Sequence, residues 1–229
     1  VAEMRGLEFD NVYLADDLLF FPGRRLEEWS RSLFEALEPL KKKLFVTSTM
    51  GLRTDSDTLE RIARAGVTSF YCTMNVDPKS VRALGGDLAA RSELIDLVAK
   101  LDALGIRFYA SIGLGRDWDG PGLADSILEL CEKARIRTAE FFLFCPYPGS
   151  TLWNRLERQG RILTREWRKY NGAHVVWRHE KLEPDALYAM FVRLWREFYA
   201  AQRPDDVVSS LEPDRSDEHM AKRRKRVES

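Results

Sequence analysis

Short apolar runs alternate along this chain with longer stretches whose apolar residues recur at three- and four-residue spacing. The first pattern suits a buried strand and the second a helix that turns one face to a core. In regular alternation they predict repeated βα units on a parallel sheet. The runs "NVYLA" (11–15), "KLFVTST" (43–49), "VTSFYCTM" (67–74), "RFYASIGL" (107–114) and "AEFFLFC" (139–145) read as five strands. Helices are predicted near 25–38, from about Ser56 to Ala65 and over 92–105 and 123–135, the second and third of them closing at Gly66 and Gly105.

The pattern changes after "FFLFCPYPGS" (141–150), where Pro146, Pro148 and Gly149 end an apolar run abruptly. Proline cannot continue a ladder of hydrogen bonds, so the strand stops and the chain turns there. A helix over 150–160 follows, then "RILTREWRKYNGAHVVW", then an amphipathic helix over 183–202 with Leu187, Met190, Phe191, Leu194, Trp195 and Phe198 on one stripe. That stripe reads as core packing. The division expected is a βα part, a parallel barrel or open sheet, over 1–149, a helical extension over 150–202 and a disordered, charged tail over 203–229.

Composition narrows the function classes. The 229 residues are 45% hydrophobic and 31% charged, and 36 basic side chains balance 36 acidic ones. A neutral chain has no overall field that draws it to nucleic acid or an anionic membrane. No apolar segment approaches the roughly 20 residues that cross a bilayer, and no signal-peptide pattern opens the chain, so a cytoplasmic location is expected. Cys72, Cys131 and Cys145 lack metal-ligand spacing and read as small buried hydrophobes. The chain begins at Val1 within what reads as a helix end, which leads us to expect an N-terminal part before it.

In a parallel sheet the loops after the strands' C-terminal ends share one face, where sites are built. Asp16 and Asp17 directly follow the first strand, either as helix caps or as ligand contacts. Asp117 and Asp119 lie in the glycine-flanked loop "GLGRDWDGPG", where carboxylates suit an amine, a ribose hydroxyl or adenine better than phosphate. His174 and His179 lack a carboxylate partner at zinc spacing, and Ser48 and Ser111 have no nucleophile elbow. Metal ligation by this chain and acyl transfer are therefore disfavoured. An aldolase-like barrel is disfavoured as well, because no lysine ends a strand.

The order of these pieces resembles the radical S-adenosylmethionine (radical SAM) enzymes, in the branch that carries a cobalamin-binding domain ahead of the barrel. The likeness runs from about Asn11 to about Gln202. "NVYLADDLLF" is similar to that family's second barrel strand with its acidic loop, and "FYASIGLGRDWDGPG" to its fifth. "FCPYPGSTLWNRLERQGRIL" resembles the Pro-aromatic-Pro-Gly-Thr segment after its sixth strand, and the following "REWRKYNGAHVVWRHEKLEPDALYAMFVRLWREFY" resembles the region that succeeds the barrel. The family's CxxxCxxC loop, which holds a 4Fe-4S cluster, is not present here and by resemblance belongs upstream of residue 1. Asn75 stands where many relatives end their fourth strand with an acidic residue.

The resemblance implies a partial (β/α)6 TIM-like barrel lacking its first strand, with a helical extension. It implies S-adenosylmethionine, a 4Fe-4S cluster whose ligands lie outside this chain, and possible use of cobalamin. The activity implied is formation of a 5'-deoxyadenosyl radical for methylation or another C–H functionalisation of a small molecule, with an external electron donor. Carried onto this sequence, Asp16 or Asp17 would lie near the amino group of S-adenosylmethionine. Thr47, Ser48 and Asn75 would lie at ribose or carboxylate, and Ile112, Gly113, Leu114 and Gly115 along adenine. Tyr147 and Asp117 would face the substrate. The alternative is a non-catalytic barrel that binds a nucleotide-like ligand or a protein partner.

Overall fold

The computed structural model describes residues 1–6, 8–15, 24–50, 56–74, 78–200 and 202. After a short helix α1 (Ala2–Arg5), five strands alternate with helices: β1 (Asn11–Leu14), α2 (Arg24–Leu37), β2 (Lys43–Ser48), α3 (Ser56–Arg64), β3 (Val67–Thr73), α4 (Pro78–Leu84), α5 (Leu88–Ala103), β4 (Arg107–Leu114), α6 (Leu123–Lys133) and β5 (Thr138–Leu143). Two further helices follow, α7 (Thr151–Arg158) and α8 (Pro184–Ala200). All four strand pairings are parallel and the strands lie in sequence order. Right-handed crossovers that keep stepping the same way place every connecting helix on the same side of the sheet. The fold is thus α/β, with five parallel strands as the alternation predicts.

Side chains alternate between the two faces of each strand, and the two faces here differ in kind. Leu44 and Val46, Phe70 and Cys72, Phe108, Ala110, Ile112 and Leu114, and Ala139, Phe141 and Leu143 point to the helix side and are buried in one core with Leu59, Ile62, Leu94, Leu97, Leu101, Ile127 and Leu130. The expected stripe on α8 joins this core through Leu187, Met190, Leu194 and Phe198. Each Val, Leu, Ile, Phe or Met side chain among them that is fully removed from water contributes about 1.5–3 kcal/mol. The opposite face carries Tyr13, Phe45, Thr47, Tyr71, Thr73, Tyr109, Ser111, Glu140 and Phe142, and all but Thr47 and Ser111 are only partly buried or exposed.

Two details differ from the sequence expectation. Pro78 opens a helix, α4, where a loop was expected; seven residues are too few for a periodic signal, and proline suits a first turn. The next helix begins at Leu88 rather than residue 92, because Asp87 caps it by accepting the Ala90 N–H at 2.8 Å.

Candidate functional site

The uncovered sheet face is built by period-two alternation. β2 contributes Phe45 and Thr47, β3 Ser69, Tyr71 and Thr73, β4 Tyr109, Ser111 and Gly113, and β5 Glu140 and Phe142. Rings of Tyr13 and Phe45 meet edge to face at 5.0 Å, Phe45 lies 6.2 Å from Tyr71 and 6.4 Å from Tyr109, and Tyr71 and Tyr109 meet at 5.1 Å. The Tyr13 hydroxyl lies 3.2 Å from Thr47 Oγ1. From the edge strand β5, Glu140 Oε1 accepts from the Tyr71 hydroxyl and, at 2.7 Å, from Ser111 Oγ; the Tyr109 hydroxyl reaches Oε2 at 3.4 Å. Parallel register sets Ser111 directly beside Glu140 and Tyr71 beside Tyr109, so backbone pairing alone assembles the group. Burial, with the nearby Glu140 charge, pushes the Tyr109 hydroxyl up to about 12, and burial with the Glu140 hydrogen bond pushes Tyr71 higher still. Both therefore act as neutral hydrogen-bond donors at physiological pH.

A second construction stands at the C-terminal end of β4. Gly115 opens the loop with φ +101°, and a side chain there would press on Trp177 Cζ2 at 3.3 Å and Leu187 Cδ2 at 3.4 Å. Asp119 Oδ2 accepts from the Gly115 and Arg116 N–H groups, both at 2.9 Å. Burial pushes the Asp119 carboxyl up against these opposing bonds. His179 Nδ1 accepts the Lys181 and Leu182 N–H groups at 3.1 Å each, which leaves Nε2–H to donate to the Arg116 carbonyl. Trp177 Nε1 donates to the Phe144 carbonyl at 2.9 Å. The loop borders a cleft of about 310 Å³ whose lining includes Gly113, Arg116, Trp118, Leu84 and Ser126. The guanidinium of Arg116 sits 5.5 Å from the Trp118 ring and 5.4 Å from that of Phe144.

The residues proposed from sequence scatter across this geometry. Asp16, Asp17 and Asn75 lie outside the described residues. Thr47 and Gly113 share the open face, whereas Ser48 is fully buried on the helix side, its hydroxyl 3.5 Å from the Thr49 carbonyl. Ile112 and Leu114 also point into the helix-side core, so only their backbone can face a ligand. Asp117 is ion-paired to Arg155 at 2.6 Å and Arg161 at 3.0 Å, and Arg161 also pairs with Glu180 at 2.9 Å. Tyr147 is 58% exposed. Sequence reasoning overlooked Glu140, Tyr71 and Tyr109. Their signal was the alternation of polar positions in 69–73, 107–111 and 138–140, since a parallel sheet covered on both faces reads apolar throughout.

Comparison with known proteins adds a family context. No family model matches the chain. Over 175 residues, 70% of this chain, it is 26% identical to a hopanoid C-2 methylase of Rhodopseudomonas palustris, covering 31% of that protein. Over 75 residues, 33% of this chain, it is 27% identical to a bacteriochlorophyllide d C-8(2)-methyltransferase of Chlorobaculum tepidum, covering 17% of it. In fold it is similar to TsrM, a radical S-adenosylmethionine methyltransferase of Kitasatospora setae solved with cobalamin and a 4Fe-4S cluster, with a TM-score of 0.53 and 12% identity; the match spans 66% of this chain and 29% of TsrM. The chain thus spans about a third or less of the length of these relatives. These sequence relatives are a methylase and a methyltransferase, and the α/β fold of the chain resembles that of part of TsrM.

Proposed function

We propose that this chain is the barrel portion of a radical S-adenosylmethionine enzyme of the cobalamin-linked methyltransferase type, acting on a small molecule at the open sheet face. The observation that carries the reading is the 175-residue match to a methylase, supported by the fold likeness to TsrM. In this reading the five strands belong to a six-stranded partial barrel, and the enzyme is cytoplasmic with an external reductant.

The face has groups that fit a nucleoside with a sulfonium: aromatic rings, hydroxyls of Thr47, Thr73 and Ser111, the side-chain-free strand position Gly113, and a carboxylate. Bound S-adenosylmethionine would supply the radical and methyl chemistry. The chain's own residues would bind and orient the reactants, and the loop pinned by Asp119 and His179 would keep water from one end of the face. A 4Fe-4S cluster does not fit the described residues. Cys72 and Cys131 are buried on the helix side or beneath it, and no three His, Cys, Asp or Glu side chains among the described residues are grouped to hold a metal. Its ligands belong to other residues in this reading, and no step is assigned through it. No helix among the described residues is long and apolar enough to cross a membrane.

The test is to express the reading frame with its upstream coding sequence, reconstitute it anaerobically with iron and sulfide, and measure 5'-deoxyadenosine or S-adenosylhomocysteine formed from S-adenosylmethionine. Turnover supports the reading. A protein that forms no cluster and consumes no S-adenosylmethionine overturns it and leaves a non-catalytic ligand-binding barrel.

A further inference from the structure

Glu140 projects from the edge strand β5 onto the open face, and every hydrogen-bond partner it has among the described residues is a neutral hydroxyl from β3 or β4. Lys43 and Arg107 project on the same face, but each begins its strand, and Arg107 lies four residues before Ser111, the residue level with Glu140. Hydroxyl donors fix a carboxylate in place without cancelling its charge. Tyr71 and Tyr109 hold their protons too firmly to give them up. Among the described residues only one weak bond reaches Oε2, and a carboxylate oxygen can accept two. Beside this charge stand ring surfaces of Tyr71, Tyr109 and Phe45, and aromatic faces attract cations while repelling anions. The half-buried setting lowers the effective dielectric and strengthens an added charge pair.

We propose that Glu140, flanked by Tyr71 and Tyr109, binds a positively charged organic group, an alkylammonium in size and charge, carried by one of the reactants of this face. The proposal rests on the reading that reactants bind at this face. Two reactants could bring such a group: the ammonium of S-adenosylmethionine itself, or an ammonium on the small-molecule substrate. An anionic or purely hydrocarbon group would gain nothing from Glu140.

The experiment measures equilibrium binding of hexylammonium, hexanol and S-adenosylmethionine by calorimetry to the 229-residue chain and to its E140Q, E140D and Y71F variants. Hexylammonium is expected to bind at least about tenfold more tightly than hexanol, and E140Q to remove that advantage, since a charge-assisted hydrogen bond is worth about tenfold or more. E140D and Y71F keep the charge and should retain part of it. If E140Q weakens S-adenosylmethionine by a similar factor, the cation belongs to S-adenosylmethionine; if that affinity holds, it belongs to the substrate. Equal hexylammonium affinity for wild type and a folded E140Q overturns the proposal, as does the absence of any preference over hexanol in the wild type, which needs no variant. Failure of the radical reading shows separately, as absent S-adenosylmethionine turnover by the wild-type enzyme.

Discussion

Asp119 and His179 are joined by no sequence pattern, yet together they set the shape of the loop after β4. His179 lies 63 residues from the carbonyl that it meets, a separation across which no local signal operates. What was legible was that "GLGRDWDGPG" would be a loop at the C-terminal end of a strand; which of its aspartates faces inward was not, because spacing cannot tell Asp117, held by two arginines, from Asp119, turned onto the backbone. Removing the Asp119 side chain (D119A) leaves the Gly115 and Arg116 N–H groups without their acceptor and should cost about 2–3 kcal/mol in urea unfolding. D119N can still accept both bonds and should cost much less. The raised Asp119 carboxyl also fixes a sign: its contribution to stability is full below its ordinary value of 3.8 and is lost as pH rises through the higher folded value. Wild type should therefore lose stability relative to D119N as pH rises through that window. A flat difference between the two from pH 3 to pH 7 would contradict this account.

At the scale of elements, the β5 edge of the sheet has a cover of its own. Along β5, the Tyr199 hydroxyl donates to the Ala139 carbonyl at 2.5 Å and accepts the Ala139 N–H at 3.3 Å, while Trp195 Nε1 donates to the Phe141 carbonyl at 3.1 Å. Exposed strand edges invite pairing with other chains, and α8 closes this one with side chains. The apolar stripe announced that α8 would pack on the sheet; the use of its polar aromatic atoms as substitutes for a neighbouring strand could not be read from periodicity. Y199F should destabilise by about 1–3 kcal/mol, the range for leaving buried backbone groups unpaired. The Y199F and W195F double variant should also self-associate with concentration, checked by light scattering; a double variant that stays monomeric and as stable as wild type would remove the edge argument. Gly66, between α3 and β3, makes a second prediction. At φ +94° a side chain would stand 2.1 Å from the Lys42 carbonyl, beside the Leu44 N–H to Gly66 carbonyl bond that starts the β2–β3 pairing. G66A therefore should cost more than the roughly 1 kcal/mol of an unfavourable backbone angle and should markedly lower soluble yield.

For the whole molecule, strand order and helix placement were legible because each βα unit repeats one local rule, and right-handed crossovers leave few alternatives. The chemistry of the open face was less so. Glu140, Tyr71, Ser111 and Tyr109 lie on three strands and meet only through register, and "AEFFLFC" hides its single carboxylate within an otherwise apolar run. The proposed function requires that this face, and not the helix-covered one, receive the reactants. Of the seven tyrosines, Tyr13, Tyr71 and Tyr109 line it, whereas Tyr170 packs near Trp153 and Tyr199 against β5. The most direct measurement is therefore fluorine NMR of the 3-fluorotyrosine-labelled chain, assigned by single Tyr→Phe variants, during titration with S-adenosylmethionine. The Tyr71 and Tyr109 resonances should move together and saturate while those of Tyr170 and Tyr199 stay fixed. Movement confined to Tyr170 or Tyr199, or no movement at millimolar S-adenosylmethionine, would contradict it.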